Sequence, residues 1–217
     1  MRIGLILAIA VWAGSAAAQD WPVFGNDAGG SQFSALDQIT AANVGKLKRA
    51  WVHKSGDIGL PGSATGATNF ESVPIVTNGT LHTCTSFGRV LALDPATGAE
   101  KWAFDPYIGD NAIFPRPRRA STCRGVSYWQ AADAAPAQVC SKRIFKPDSG
   151  GNVYAVDADT GKYAWHYQTV PGESWDYNSN VDMVLADLKI DGKPVKALMH
   201  APKNGFFYVI DRATGKV

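Results

Sequence analysis

The sequence predicts an all-β fold of repeated β-propeller blades, and the main reason is one hairpin motif that occurs three times. The first copy, ALDPATGAEKW, spans residues 92–102, and the second, AVDADTGKYAW, spans residues 155–165. The third, VIDRATGK, occupies residues 209–216. The copies start 63 and 54 residues apart, which is longer than the roughly 40–50 residues of common propeller repeats but fits four-stranded blades with long loops.

Each copy has the chemistry of a β-hairpin. In the first copy an apolar strand leads to Asp94, whose carboxylate can bond the turn backbone, and the pair Thr97-Gly98 follows. Glycine takes positive φ at no steric cost, so the chain can reverse there and enter a second strand, which ends in Trp102. We expect the tryptophan to pack between neighbouring sheets, which would be W-shaped, four-stranded and antiparallel.

Two more hairpins are indicated by turn dipeptides that lie between apolar runs. These dipeptides are Asn78-Gly79 and Asp191-Gly192. Both residue pairs tolerate the left-handed backbone that a two-residue hairpin turn needs.

The length of 217 residues limits how many blades the chain can form. Blades of roughly 50–60 residues would give about three to three and a half blades, and closed propellers have about four to eight. An open arc leaves strand edges exposed. We therefore expect either a fragment or a chain that something else completes into a ring.

Residues 1–18 have the features of an export signal peptide. Arg2 supplies positive charge, residues 3–12 are apolar, and Ala16-Ala17-Ala18 offers a cleavage site after Ala18. A membrane anchor is the alternative, but the apolar run is shorter than the roughly 20 residues that span a bilayer. The sequence thus predicts a periplasmic protein without a transmembrane segment beyond the signal peptide.

Composition and spacing exclude several function classes. The net charge of +2 and a single dense basic cluster at residues 116–119, interrupted by proline, give no nucleic-acid signature. The histidines and cysteines lack zinc-ligand spacing, and there is no glycine-rich phosphate loop. Cys84, Cys123 and Cys140 allow one disulfide in an oxidising compartment, and the sequence does not choose the pair.

Several longer motifs resemble one family. They are WPVFGND at 21–27, FESVP at 70–74, TCRGVSY at 122–128, ESWDY at 173–177 and APKNGFFY at 201–208. The chain resembles the pyrroloquinoline quinone (PQQ)-dependent dehydrogenases, quinoproteins whose eight-bladed propeller holds PQQ and Ca²⁺ over its axis. Residues 19–145 are similar to the sugar and polyol branch of the family, and residues 146–217 are similar to the alcohol dehydrogenase branch.

The resemblance implies roles for four residues. Glu71 and Arg124 occupy the motifs whose glutamate and arginine contact PQQ. Asp176 stands where the family has its catalytic aspartate, beside Ca²⁺, and Lys203 stands where a cation hydrogen-bonds the quinone oxygens. Such residues suit alcohol oxidation, because a carboxylate can take the hydroxyl proton while a cation stabilises the charge that hydride transfer brings to the quinone.

The similarity is discontinuous near residues 146–150. Up to residue 145 the chain follows one part of the family pattern, and from about residue 151 it follows a part that lies much further along. The missing stretch carries the remaining calcium ligands and the tryptophan that stacks on PQQ, and Ala120 stands where the sugar branch often has histidine. We therefore expect an internal deletion or a mosaic, with weak PQQ binding and little turnover by this chain alone.

Two functions from different classes follow. The first is PQQ-dependent oxidation of an alcohol or polyol, with electrons passed to cytochrome c or a quinone. The second is a non-enzymatic propeller-repeat scaffold in the periplasm. The set Glu71, Arg124, Asp176 and Lys203 separates them, because a scaffold has no reason to place these residues within these motifs.

Overall fold

The computed structural model describes residues 19–57, 70–107, 122–132 and 141–217. Within these ranges the chain forms eleven strands in three antiparallel sheets, together with one 3-10 turn at Val44–Lys46. The predicted signal peptide, the basic cluster at 116–119, Ala120 and Cys140 lie outside the described residues. No helix in the described ranges has the length and apolar character to cross a membrane.

The first sheet, blade 1, is a four-stranded meander. Its strands pair in chain order and are β1 (Ile75–Thr77), β2 (Thr80–Cys84), β3 (Val90–Leu93) and β4 (Glu100–Phe104). Trp21 adds to the free edge of β1 through reciprocal backbone hydrogen bonds of 2.8 and 2.9 Å with Val76. Both faces of β3 are buried, so this inner strand is continuously apolar rather than alternating.

The second sheet, blade 2, repeats that pattern. Its strands, again in chain order, are β5 (Ser127–Gln130), β6 (Lys142–Pro147), β7 (Asn152–Asp157) and β8 (Tyr163–Gln168). The predicted boundary between residues 145 and 146 lies inside β6, whose pairing with β7 runs across it. The two sequence segments therefore contribute to one blade.

The third sheet, blade 3, contains three described strands. These are β9 (Met183–Ile190), β10 (Lys193–His200) and β11 (Tyr208–Asp211), with β10 in the centre. The predicted turns at Asn78-Gly79 and Asp191-Gly192 join β1 to β2 and β9 to β10, and all four residues have positive φ. The all-β prediction with four-stranded antiparallel sheets is confirmed.

The side chains of blade 2 alternate between two cores. Ile144, Tyr154 and Val156 pack against blade 1, whereas Phe145 and Val153 pack toward blade 3. Successive residues of a strand point to opposite faces, so a strand covered on both faces must be apolar along its whole length. Blade 2 is therefore the middle layer of the arc.

Tryptophans dock each blade onto the next, as the repeats predict. The indole Nε1–H of Trp102, in β4, donates to the carbonyl oxygen of Ala158 at 3.1 Å. Trp165, in β8, donates to Arg212 at the same distance. Trp51 makes the equivalent bond to Pro95, which the repeat analysis did not predict. Each acceptor is the residue after the aspartate of a repeat turn.

Each docked indole lies on the glycine of a repeat turn. The turn containing Asp157 has Gly161 at φ +70°, and a Cβ there would lie 2.6 Å from the Trp102 ring. The carboxylate of Asp157 accepts from the backbone N–H and the hydroxyl of Thr160 at 2.9 and 2.7 Å. The motif thus serves two blades, because it closes its own hairpin and provides the flat surface for the preceding tryptophan.

A buried lysine lies where blade 2 meets blade 1. Lys146 is 1% exposed, donates to the carbonyl oxygen of Pro147 at 2.8 Å and has its ammonium 5.6 Å from the centre of the Tyr154 ring. Burial lowers the pKa of Lys146 to about 8, against the opposing effect of the Asp148 charge. The Asp148 carboxylate is itself buried and accepts from the Tyr107 hydroxyl at 2.8 Å.

The contact between Trp102 and Gly161 predicts that two Gly→Ala substitutions destabilise the fold unequally. Gly161 and Gly192 both have positive φ, but nothing lies within 4 Å of a Cβ built on Gly192. Gly192→Ala should cost about 1–2 kcal/mol from backbone strain alone, and Gly161→Ala should cost about 1–3 kcal/mol more from the clash with Trp102. Urea unfolding followed by circular dichroism measures both, and equal destabilisation would contradict the docking role.

Lys146 predicts a specific pH dependence of stability. Between about pH 8 and the 10.5 at which a free lysine titrates, the unfolded chain binds more protons than the native state, so this residue's contribution to stability rises with pH. Near pH 7 the buried charge costs on the order of 3 kcal/mol. Lys146→Met should therefore be more stable than the parent protein near pH 7, by a margin that shrinks toward pH 10 in urea unfolding. A constant margin, or a less stable variant near pH 7, would be inconsistent with this account.

Candidate functional site

Asp176 and Lys203 meet on two neighbouring loops of the arc. Asp176 lies in the loop between β8 and β9, and Lys203 lies in the loop between β10 and β11. The backbone N–H of Lys203 donates to the carbonyl oxygen of Tyr177 at 2.7 Å. The Lys203 Nζ is 3.8 Å from the Asp176 Oδ2. The structure thus brings together the two residues that the sequence assigned to one reaction centre.

Glu173 shapes the backbone around Asp176. Its carboxylate accepts the backbone N–H of Trp175 at 2.7 Å and that of Tyr177 at 3.2 Å, so it holds both chain neighbours of Asp176. Asp176 itself has φ 58°, a left-handed conformation that non-glycine residues adopt at a cost. No sequence motif assigned a role to Glu173, although an acidic residue just after Pro171-Gly172 is a signal for a side chain that bonds turn amides.

The base of the same loop is anchored to blade 2. The backbone N–H groups of Thr169 and Val170 donate to the carbonyl oxygen of Gly151 at 2.6 and 3.2 Å, and the Thr169 hydroxyl donates to it at 2.8 Å. Further along the loop, the Ser179 carbonyl accepts from the Nε2 of the buried His200 at 2.9 Å. Burial lowers the pKa of His200, so the imidazole is neutral near pH 7.

The Asp176–Lys203 pair is open to solvent. The side chain of Asp176 is 88% exposed and that of Lys203 is 59% exposed. An exposed ion pair contributes only about 0–1 kcal/mol to stability, so the fold does not require these charges. Trp175, also exposed, stacks on Tyr177 with ring centres 6.5 Å apart, so apolar and charged groups are both accessible to a ligand here.

Glu71 and Arg124 form a second exposed pair. The Arg124 Nε lies 3.4 Å from the Glu71 Oε2. Their backbones run side by side, because Phe70 bridges to Cys123 in parallel pairing and the Val73 N–H donates to the carbonyl oxygen of Arg124 at 3.1 Å. The structure therefore places two of the three residues predicted to contact the cofactor next to each other.

A disulfide joins Cys84 to Cys123, with their Cα atoms 6.0 Å apart. This resolves the pairing that the sequence left open.

The Asp176–Lys203 and Glu71–Arg124 pairs are also connected, because the side-chain amide of Asn180 donates to the carbonyl oxygen of Thr122 at 3.3 Å. That bond links the loop carrying Asp176 to the segment carrying Arg124.

The family model for the β-propeller domain of PQQ-dependent glucose, ethanol and alcohol dehydrogenases matches residues 21–164 and 150–217. The chain belongs to this family. The two matched ranges overlap at residues 150–164, inside blade 2, which both segments of the sequence help to build. The propeller domain named in the family description agrees with the antiparallel four-stranded sheets of the arc.

The relatives of this chain come from both branches. It is 43% identical over 148 residues to the quinoprotein glucose dehydrogenase of Escherichia coli K12, covering 66% of this chain and 18% of that protein. It is 36% identical over 210 residues to the quinohemoprotein alcohol dehydrogenase ADH IIB of Pseudomonas putida, and the alignment covers 83% of this chain and 30% of that protein. It shares 26% identity over 342 aligned positions with the quinohemoprotein alcohol dehydrogenase of Comamonas testosteroni, and the alignment covers 94% of this chain and 46% of that protein. The chain thus spans less than half of each relative.

The described residues fit an anionic quinone better than they fit a metal. PQQ carries carboxylates and quinone oxygens, and the exposed cations Arg124 and Lys203 can donate charge-assisted hydrogen bonds to such groups. Calcium takes about six to eight oxygen ligands, whereas the Asp176 carboxylate has an ammonium as its neighbour. The described ranges hold no group of three or more His, Cys, Asp or Glu side chains that could bind a metal ion.

Proposed function

We propose that this chain is part of a PQQ-dependent dehydrogenase that oxidises an alcohol or polyol and passes the electrons to cytochrome c or a quinone. The observation that carries the proposal is the Asp176–Lys203 pair, a carboxylate and an ammonium 3.8 Å apart on loops joined by a backbone hydrogen bond. Two of the relatives are named quinohemoprotein alcohol dehydrogenases, which supports an alcohol substrate and a haem-linked acceptor.

Asp176 is proposed as the general base. Its exposed carboxylate can accept the proton of a substrate hydroxyl, and a positioned base typically contributes about 10²–10⁴-fold to rate. Glu173 holds the amides on both sides of Asp176, which restrains the backbone from which the carboxylate projects. Bound PQQ would supply the carbon that accepts the hydride.

The cations are proposed to bind and polarise the cofactor. Lys203 would donate to a quinone oxygen of bound PQQ, and this interaction would stabilise the negative charge that the cofactor chemistry places there. Arg124 would donate to a cofactor carboxylate, and Glu71 would orient the Arg124 guanidinium while contacting the cofactor. The family resemblance further implies that Ca²⁺, bound with ligands from the rest of a complete protein, would be held next to Asp176.

Export and incompleteness belong to the same proposal. We infer that residues 1–18 direct the protein to the periplasm, where quinone or cytochrome acceptors are accessible. The alignment with the Comamonas testosteroni relative runs over 342 positions, more than the 217 residues of the chain. This supports a gap in the chain relative to that protein, and we propose that the gap is an internal deletion near residues 146–150, with weak cofactor binding and little turnover by the chain alone.

Lys203→Gln should weaken PQQ binding about tenfold or more, because it removes a charged hydrogen-bond donor, worth about 1.5–3 kcal/mol. Lys193→Gln is the matched control, since Lys193 is also exposed but belongs to the β9–β10 hairpin. Quenching of tryptophan fluorescence on titration with PQQ measures both affinities.

Equal affinities of the two variants would contradict the assignment of Lys203. If the parent chain also showed no saturable PQQ binding up to millimolar concentration, the catalytic proposal would fail and the scaffold function would replace it.

A further inference from the structure

The Cys84–Cys123 disulfide adjoins the segments that carry Glu71 and Arg124. Cys84 ends β2, and Cys123 precedes Arg124 in the segment that leads into β5. Both half-cystines are buried, at 0% and 5% exposure. The bridge closes a sequence separation of 39 residues and ties the chain that enters blade 2 to a strand of blade 1.

Polar contacts around the bridge reach the Glu71 segment as well. The Ser72 hydroxyl accepts the Cys84 N–H at 3.3 Å and lies 3.4 Å from the Cys84 sulfur. The same hydroxyl is 2.9 Å from the Thr83 hydroxyl. The segment that carries Glu71 is therefore seated on the end of β2, at the point where the disulfide attaches the segment that carries Arg124.

The ion pair itself is too weak to hold this geometry. The side chains of Arg124 and Glu71 are 67% and 43% exposed, and exposed pairs contribute about 0–1 kcal/mol. The buried disulfide attaches the Arg124 segment covalently to the end of β2, on which the Glu71 segment is seated through Ser72, and this restrains the Arg124 segment far more strongly. Pre-organising a binding site in this way raises affinity because less ordering remains to be done when the ligand binds.

We propose that the Cys84–Cys123 disulfide is a positioning element that holds Arg124 beside Glu71 for recognition of an anionic, carboxylate-bearing cofactor. The role in cofactor recognition rests on the proposed function, whereas the restraint of the Arg124 segment by the disulfide does not. Cys84 and Cys123 act through Arg124 and do not themselves contact the cofactor. Loss of the bridge should free the segment at 122–125 while the tryptophan-docked turns of the arc stay intact.

Hydrogen–deuterium exchange with mass spectrometry tests the restraint without any cofactor. All proteins compared carry Cys140→Ser, so that no third thiol can exchange with the disulfide. The protein with this change alone keeps the bridge, and it is compared with the protein that also carries Cys84→Ser and Cys123→Ser. We expect faster exchange in peptides containing Val73 and residues 122–125, and unchanged protection around Gly161. Unchanged exchange at Val73 would overturn the proposal, and so would loss of protection throughout the chain, which would make the bridge a support of the whole fold.

PQQ titration of the same proteins tests the link to Arg124. With the bridge present, Arg124→Gln should weaken PQQ binding about tenfold, and removal of the bridge should weaken it by a similar factor. If the bridge acts through Arg124, adding Arg124→Gln to the bridge-free protein should lower the PQQ affinity little further. If the combined change instead lowered the affinity by the product of the two separate factors, the link through Arg124 would be refuted. Absence of PQQ binding by the bridged protein would count against the proposed function, while the exchange experiment would still decide the restraint.

Discussion

The arc depends on one interaction, the docking of a tryptophan from each blade onto the glycine turn of the next. Trp165 is buried between two sheets and Trp102 is partly buried, while each indole N–H retains a hydrogen-bond partner. A buried indole without that partner would bear an unpaired donor, which is costly in an apolar interface. The glycine makes the contact possible, because any side chain would occupy the position of the ring.

This docking sets the positions of the loops that carry charged residues. Blade 2 is held on both sides, by Trp102 from blade 1 and by its own Trp165 on blade 3. The loop with Asp176 begins on Gly151 of blade 2 and then contacts the Lys203 loop of blade 3. The Asp176–Lys203 pair is thus a consequence of how two sheets are fixed to each other, since the exposed charges contribute little to holding the loops.

The sequence predicted the features that depend on local chemistry. The repeat Asp-x-x-Thr-Gly followed by tryptophan specifies the turn, the strand direction and the docking residue, because each is determined within about ten residues. Trp51 was missed because no hairpin of this type precedes it, although Lys48-Arg49-Ala50-Trp51 parallels Lys162-Tyr163-Ala164-Trp165. The meeting of Asp176 with Lys203 was inferred from family resemblance and is present in the structure, whereas their roles stay predictions.

Features that depend on long-range packing could not be predicted. Lys146 carries a charge that sequence patterns assign to a surface, yet its strand is covered on both faces. The choice of Cys84 and Cys123 requires two segments 39 residues apart to meet at Cα separations short enough for a bridge. Glu173 needs the loop conformation before its contacts with two amides become apparent.

The most direct test of this account is hydrogen exchange of the indole N–H groups, followed by ¹⁵N NMR of the protein's seven tryptophans. Because the docked N–H groups are hydrogen-bonded across the interface, the indole protons of Trp102 and Trp165 should exchange orders of magnitude more slowly than that of Trp175, whose side chain is largely exposed. If Trp102 and Trp165 exchanged as fast as Trp175, the blades would not be docked as described, and the arrangement of the loops that follows from docking would be wrong.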